Sequence, residues 1–183
     1  GTRVVQMGAG FVGCIIMEGL LSRGVDLTIL VRSGYMVRRM MNPTASGLIQ
    51  RWCEAKGAKI LTRTQPKALA SEGDGLRVDL GEGRFLPADM YLSVVGVDPN
   101  LEFLAGSGIA IGHGVLVDAN LRSSAPGVYA AGDVAEAANG LTGKPELNAI
   151  QPNAVEQGRI AALNMAGRPV RFKGGFVFNV LTT

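Results

Sequence analysis

A glycine-rich turn near the start of the chain constrains its fold more than any other feature. The run Gly8-Ala9-Gly10-Phe11-Val12-Gly13 follows a short apolar segment, Arg3 to Met7, and opens an apolar-faced helix that ends near Arg23-Gly24. A second apolar segment, Leu27 to Val31, comes next. The order strand, glycine turn, helix and strand predicts a βαβ unit with a GxGxxG motif at its first turn.

The glycines of this motif predict a site for a dinucleotide. Gly8 permits the tight turn, Gly10 lets the backbone approach a pyrophosphate, and Gly13 lets the helix and the strand pack closely. Phe11 and Val12 begin the helix, where free N–H groups and the positive end of the helix dipole attract phosphates. For a bare GxGxxG, the alternative is a glycine-rich turn in an unrelated α/β protein.

The end of the second strand indicates which nucleotide is bound. NAD-specific domains place Asp or Glu there to accept hydrogen bonds from the ribose hydroxyls, and Val31 offers no such acceptor. Arg32 and Arg38 instead supply guanidinium groups for charge-assisted hydrogen bonds to a 2′-phosphate. The residues therefore favour NADP over NAD. A solvated basic loop whose arginines touch nothing is the alternative, and NAD stays open.

The middle of the chain predicts further strands and helices. In order, the predicted elements are a helix from Ala45 to Ala55 with Leu48, Ile49 and Trp52 on one face, a strand from Lys59 to Thr62, an antiparallel meander within residues 68–86, and a buried parallel strand from Ala88 to Gly96. Gly96 would lie at the sheet edge where ligands of open α/β folds bind, so it is a candidate to face the dinucleotide. A turn glycine needed only for backbone shape is the alternative.

A second fingerprint lies far downstream. The run from Gly127 to Val134, GVYAAGDV, has the pattern of a buried strand that ends in Gly132-Asp133. The segments Gly114 to Asp118 and Leu121 to Pro126 lead into it. A Gly-Asp pair alone would be a generic turn.

Together, in this order, the two fingerprints resemble the latter part of FAD-dependent pyridine nucleotide–disulfide oxidoreductases. The segment before Val134 resembles that family's stretch VVDxxLRTSxPxVYAAGDV. The resemblance implies that Asp133 accepts a hydrogen bond from a ribityl hydroxyl of FAD, with Gly132 giving close access. It also implies that a helix over residues 153–167 points its N-terminus at the flavin, with Asn153 and Ala154 as candidate contacts.

The resemblance implies a fold and a division into segments. The expected fold is α/β: a Rossmann-like open parallel sheet with helices on both faces and a small antiparallel meander, followed by the C-terminal remnant of an FAD-binding domain. The expected segments are an NAD(P)-binding domain over residues 1–117, the C-terminal part of the FAD-binding domain over 118–170, and the start of a truncated interface domain over 171–183. Seven residues precede Gly8, so we expect a piece of a larger flavoenzyme that by itself is inactive and does not retain FAD.

The implied activity is that of the rubredoxin-, ferredoxin- and nitrite-reductase-like branch. These enzymes pass hydride from NAD(P)H to FAD and then electrons to an acceptor. The cofactors implied are FAD and NADP or NAD, and the segment from Val31 to Arg38 resembles the NADPH site of glutathione reductases. The acceptor, a small redox protein or a small molecule, and a homodimer both stay open. No residue of this chain is expected to act as an acid–base catalyst.

Two other functions remain open at this point. One is a disulfide reductase of the same superfamily, whose cysteine pair would lie upstream; the other is a nucleotide-binding module without catalysis. Many relatives carry Glu near the nicotinamide at the position that Ile15 occupies here. Cys14 and Cys53 lack Cys-x-x-Cys spacing, which predicts two buried, reduced thiols rather than a redox pair or metal ligands. His113 is predicted to lie in a turn.

Composition excludes several classes of protein. No apolar run approaches the roughly 18 residues that a membrane span requires, and no signal peptide is visible. The net charge is +3, but aromatic residues make up only 5% and most basic residues are scattered, so nucleic-acid binding is not expected. The two reduced thiols fit a cytoplasmic protein.

Overall fold

The computed structural model describes residues 1–176, which form two compact units. The first is Gly1–Val97 and the second begins at Asp98. The geometric division therefore comes before residue 117, where the sequence predicts the end of the nucleotide-binding domain. Which segment serves which cofactor stays a prediction. The predicted start of an interface domain falls mostly on residues 177–183, outside the described residues.

A four-stranded parallel sheet forms the centre of the first unit. Its strands are β1 (Arg3–Met7), β2 (Asp26–Val31), β3 (Lys59–Thr62) and β7 (Met90–Ser93), in the order β3-β2-β1-β7. The helix α1 (Phe11–Leu21) joins β1 to β2, and α2 (Pro43–Ala55) joins β2 to β3. The Asn42 side chain caps α2 by accepting a hydrogen bond from Ala45 N at 2.9 Å. Proline at the first turn needs no N–H partner, so α2 begins at Pro43 and not at the predicted Ala45.

The two helices cover one face of this sheet. Val4 of β1 and Leu27 of β2 pack there against Cys14 and Met17 of α1 and Cys53 of α2. Both crossovers step in the same direction across the sheet, from β1 to β2 and from β2 to β3. Right-handed crossovers in one direction place their helices on one side.

A three-stranded antiparallel meander covers the opposite face. It consists of β4 (Ala68–Glu72), β5 (Gly75–Gly81) and β6 (Arg84–Ala88). Val5 and Leu30 of the sheet pack there against Val78 and Leu80 of β5. The α/β class, the parallel sheet and the meander are confirmed. The expectation of helices on both faces is wrong for this unit. The chain between β3 and β7 forms the meander instead of a helix, and the meander covers the second face.

The last strand of the sheet is less buried and shorter than the sequence predicts. β7 ends at Ser93, and Met90 is 47% exposed. The reason is its position at the edge of the sheet, where β1 is its single neighbour. Gly96 follows beyond the end of the strand.

The second unit combines a small mixed sheet with one long helix. Its strands are β8 (Val115–Leu116), β9 (Ala135–Ala138) and β10 (Pro145–Leu147), in the order β10-β9-β8. The helix α3 (Gln151–Met165) buries Ile160 and Ala161 against Leu121, Ala137 and Phe172. It begins two residues before the predicted start, because Pro152 fits the first turn of a helix.

The predicted strand before Asp133 is wrong. Within the described residues it forms one antiparallel bridge, between Tyr129 and Arg122, and Gly132–Val134 is a single 3-10 turn. Gly127 and Gly132 have φ values of 77° and 78°, which interrupt an extended backbone. A run with so little pairing does not form a regular strand.

Candidate functional site

The turn after β1 is fixed by glycines in confined space. Gly8 has φ 108°, a value that favours glycine, and a Cβ atom at this position would overlap the carbonyl oxygen of Val94. The Gly8 amide donates a hydrogen bond to Leu30 O at 2.9 Å. A Cβ atom on Gly13 would lie 2.5 Å from Gly8 O. The backbone of the turn and that of α1 therefore approach each other as closely as the sequence predicts.

Gly10 is different, because the space around it is open. It is the N-cap of α1, it makes no side-chain capping bond, and an added Cβ atom would meet nothing within 4 Å. The first amides of α1, from Phe11 and Val12 onward, lack intrahelical partners, and the Val12 side chain is 55% exposed. The N-terminus of α1 therefore has room and free donors for an anion.

A buried glutamine, which the sequence did not single out, holds the turn by side-chain hydrogen bonds. Gln6 is fully buried, and its Nε2 atom donates to Gly8 O at 2.9 Å and to Gly13 O at 3.0 Å. One side chain thus joins the first and the last glycine of the motif. Its Oε1 atom has no partner among the described residues. The available signal was an amide at an inward position of an otherwise apolar strand.

The segment after β2 is tied to the same turn. The Val37 amide donates to Ala9 O at 2.8 Å, and Ser46 Oγ donates to Met36 O at 2.8 Å. Val31 is 4% exposed, whereas Arg32 and Arg38 are exposed. Arg32 lines a cavity of about 400 Å³, and Arg38 does not. The structure thus holds the predicted specificity segment beside the glycine turn but does not bring its two arginines into one cavity.

Gly96 lies beyond the end of β7, in open space. Its φ is 106°, and an added Cβ atom would meet nothing within 4 Å. The Val94 amide, two residues earlier, donates to Met7 O at 2.7 Å, which continues the pairing with β1. Gly96 therefore follows the strand that borders the glycine turn, and its contact with a dinucleotide stays a prediction.

In the second unit, the Gly-Asp turn packs against α3. The Gly132 amide donates to Oε1 of Gln157 at 2.7 Å, and Gln157 is 1% exposed. A Cβ atom on Gly132 would lie 3.5 Å from Cβ of Ala154. Asp133 is exposed in the same turn. Gln157, which the sequence did not single out, therefore binds Gly132 to the helix that carries Ala154.

The start of α3 is rich in amide side chains. Asn153 Nδ2 donates to Phe176 O at 3.1 Å. Asn148 is 3% exposed, and neither of its side-chain atoms has a partner among the described residues. A buried amide without partners is rare in folded proteins. The segment before α3 therefore contains one buried amide side chain whose polar atoms lack partners among the described residues.

The two cysteines are unsuited to redox chemistry. Both are buried and free, and burial raises the pKa of the Cys14 thiol and that of Cys53, the latter to about 11. Thiols with raised pKa values are poor nucleophiles. Within residues 1–176, no group of His, Cys, Asp and Glu side chains could hold a metal ion. His113 lies in a bend between Ile111 and Val115, as predicted.

Comparison with known proteins shows which family the chain matches. The family description "Pyridine nucleotide-disulphide oxidoreductase" matches residues 1–158. The chain is 35% identical, over 91% of its own length and 39% of the relative's, to the NADH-dependent phenylglyoxylate dehydrogenase subunit epsilon of Aromatoleum evansii.

Two solved structures show the same fold. A ferredoxin reductase of Rhodopseudomonas palustris has a TM-score of 0.84 at 28% identity, over 94% of this chain and 43% of that one. An engineered water-forming NADPH oxidase has a TM-score of 0.87 at 22% identity, over 93% of this chain and 38% of that one. In each comparison the chain spans less than half of its counterpart.

Proposed function

Because the chain belongs to the pyridine nucleotide-disulphide oxidoreductase family, we propose that it is part of a flavoenzyme that oxidises NAD(P)H and passes the electrons to an acceptor. In this proposal the first unit binds the nicotinamide nucleotide. Residues 118–170 supply part of the FAD site, and the functional boundary at residue 117 stays a prediction.

The observation that carries the proposal is the architecture of the glycine turn. Gly8 and Gly13 occupy space that no side chain could share, while Gly10 leaves open space before the free amides of α1. A pyrophosphate fits this arrangement because it needs close backbone approach, N–H donors and a positive helix end. In this role the amides of Phe11 and Val12 donate to the phosphates, and Gln6 keeps the turn in shape.

The nucleotide we propose is NADP(H). Val31 offers no carboxylate to the ribose, and Arg32 and Arg38 are exposed and free to bind a phosphate. The A. evansii relative is NADH-dependent by name, so NAD(H) is the second candidate. The residues of this chain favour NADP(H), because a guanidinium group is attracted to a dianionic phosphate and a carboxylate is not.

A pattern of engineered substitutions supports this choice. The NADPH oxidase was made from an NADH oxidase of Lactobacillus brevis by five substitutions. One replaced an aspartate by alanine, the next two residues became Arg and Ser, and the residue five positions after that Ser became Arg. Val31, Arg32, Ser33 and Arg38 have matching types and spacing. The fifth substitution replaced a glycine by alanine. By its spacing, the matching residue of this chain is Gly13, which is not replaced.

For FAD, the second unit offers a turn and a helix end. When bound, FAD supplies the electron-accepting chemistry that amino-acid side chains lack. Gly132 allows close approach, and Asp133 is exposed to accept a hydrogen bond. Ala154 and Asn153 belong to the first turns of α3, whose positive end favours negative charge. The unpaired amide of Asn148 is consistent with a polar ligand at this end.

The acceptor in this proposal is a small redox protein, which is what the ferredoxin reductase is named for. Cys14 and Cys53 are buried with raised pKa values and do not form the reactive cysteine pair of a disulfide reductase; because the pair of such an enzyme would lie upstream, that alternative stays open. The free thiols of Cys14 and Cys53 fit a reducing compartment, so we propose a cytoplasmic location. Among the described residues, no helix is long and apolar enough to cross a membrane.

Anaerobic reduction of the complete flavoenzyme that contains this chain tests the proposal. We expect a flavin absorbance band near about 450 nm, which NADPH bleaches. An Asp133→Ala variant should retain less FAD than an Asp98→Ala control, since Asp98 is also exposed and lies outside residues 118–170. A protein without a flavin band would instead be a nucleotide-binding module. A flavin that dithionite bleaches and neither NADPH nor NADH does would refute the proposed electron donor.

A further inference from the structure

We propose that Arg63, which follows β3, binds the 2′-phosphate of NADP(H) together with Arg32. The inference rests on the proposed function and adds a residue to it. It adds a guanidinium group from the end of β3 to those of Arg32 and Arg38.

The first support is the charge of the cavity that Arg32 lines. This basic cavity, about 400 Å³ in volume, is lined by the cations Arg32, Arg63, Lys67 and Arg84 and by a single carboxylate, Glu82. None of the four cations takes part in a salt bridge within residues 1–176, where four such pairs occur elsewhere. An excess of unneutralised positive charge in a concave site attracts anions.

The second support is a pair of backbone hydrogen bonds that join the loops after β2 and β3. Arg63 N donates to Ser33 O at 3.0 Å, and Thr64 N donates to Val31 O at 3.1 Å. Arg32 lies between the two acceptor residues. Main-chain hydrogen bonds therefore hold both arginines beside the same cavity, and no contact between the two side chains is needed for this.

The third support is the conformation of Arg63 itself. Its φ is 52°, in the left-handed region that residues other than glycine and asparagine seldom occupy. Its guanidinium lies beside Gly34, with Nε 3.6 Å from where a Cβ atom would stand. The side chain makes no hydrogen bond within residues 1–176, so no side-chain hydrogen bond there accounts for an arginine at this strained position. Backbone strain of this kind concentrates at binding sites.

The position of the cavity identifies the anion. Arg32, which lines the cavity, directly follows the end of β2. At this strand end, dinucleotide-binding folds hold the adenine ribose hydroxyls. A phosphate on the 2′ oxygen of that ribose would be the nearest anion to Arg32 and Arg63. Two guanidinium groups can together donate to its three terminal oxygens.

Two small probes that differ only in the 2′-phosphate test this assignment. Calorimetric titration of the protein with 2′,5′-ADP and with 5′-AMP measures what the phosphate contributes. The variant is Arg63→Asn, because asparagine accepts a positive φ more readily than other residues. Arg51→Gln on α2 is the control, since Arg51 is also exposed and does not line the cavity.

We expect the unmodified protein to bind 2′,5′-ADP more tightly than 5′-AMP. Arg63→Asn should weaken 2′,5′-ADP binding about tenfold, which corresponds to about 1.4 kcal/mol, and should leave 5′-AMP binding within about twofold. Arg51→Gln should change neither affinity. Arg63→Lys, which keeps the charge, should lose less than Arg63→Asn and provides a second test should that variant not fold.

Two results would overturn the inference in distinguishable ways. If Arg63→Asn binds 2′,5′-ADP as the control does while Arg32→Gln weakens it, Arg63 is not a phosphate ligand and the NADP preference stands. If the unmodified protein binds both probes equally, the proposed preference for NADP fails together with the role of Arg63.

Discussion

The glycine turn after β1 and the Gly-Asp turn before β9 both pack against a helix, but different bonds hold them there. The first is held by main-chain bonds, from Gly8 to Leu30 and from Val37 to Ala9, by two bonds from the buried Gln6 side chain, and by close contacts that exclude side chains. In the second, the Gly132 amide is held by one side-chain acceptor, Gln157. Substitution of a confined glycine should therefore damage the first turn most, whereas the second should depend most on its single side-chain acceptor, Gln157.

The largest effect should come from Gly8→Ala. The new Cβ atom would overlap the Val94 carbonyl at a positive φ. Left-handed strain and overpacking together should lower the free energy of unfolding by about 2–6 kcal/mol. Denaturant unfolding measures this. Gly10→Ala, in open space, should cost about 1 kcal/mol or less. Equal losses for both variants would show that confined space is not what fixes this turn.

Replacement of both Arg32 and Arg38 by Ala should come next. It removes two guanidinium groups that we expect to donate to the 2′-phosphate. NADP binding should weaken by about 2–4 kcal/mol, as the sum of two charged hydrogen bonds, and NAD affinity should stay nearly unchanged. Titration of each nucleotide measures the difference. Equal titration curves for NADP and NAD in the unmodified protein would end this hypothesis.

In the second unit, Gln157→Leu should lower the free energy of unfolding by about 1–3 kcal/mol, because the partly buried Gly132 amide loses its acceptor. The matched control is Glu156→Gln, which breaks the exposed pair between Glu156 and Arg159 and should change stability little. Thermal unfolding compares the two. If both variants unfold like the parent, the Gly-Asp turn does not depend on Gln157, and the contrast between the turns disappears.

The smallest effect is a pH dependence confined to the first unit. The guanidinium and the amide of Arg3 at the start of β1 hydrogen-bond the Asp89 carboxylate, which lowers its pKa from 3.8 to about 2. A group whose pKa is lower in the folded state stabilises the fold at pH values above its unfolded-state pKa. This stabilisation is lost as the pH falls through the folded-state pKa. Between about pH 4 and pH 2, the parent should therefore lose more stability than Asp89→Asn. Parallel losses in acid denaturation would rule out this contribution.

The sequence predicts regular elements well and side-chain supports poorly. Alternation and glycine spacing predict β1, α1, β2 and the meander, because those signals are local along the chain. The roles of Gln157 and Arg63 depend on contacts between segments far apart in the sequence, such as the bond from Gly132 to Gln157. The role of Gln6 depends on the folded geometry of the glycine turn, which brings Gly8 O and Gly13 O to one side chain. The run before Asp133 was wrongly predicted to be a strand because its apolar pattern says nothing about whether a neighbouring strand is present.

The central claim is that the glycine turn of the first unit binds a nicotinamide dinucleotide, and calorimetric titration of the protein with NADPH tests it most directly. We predict one saturable site, and its loss in Gly10→Glu, whose carboxylate would occupy the open space before α1 and repel the pyrophosphate. The variant should unfold at nearly the same temperature as the parent, since nothing lies within 4 Å of the added Cβ atom. Unchanged NADPH binding by a folded Gly10→Glu variant, or no binding by the unmodified protein, would contradict the account.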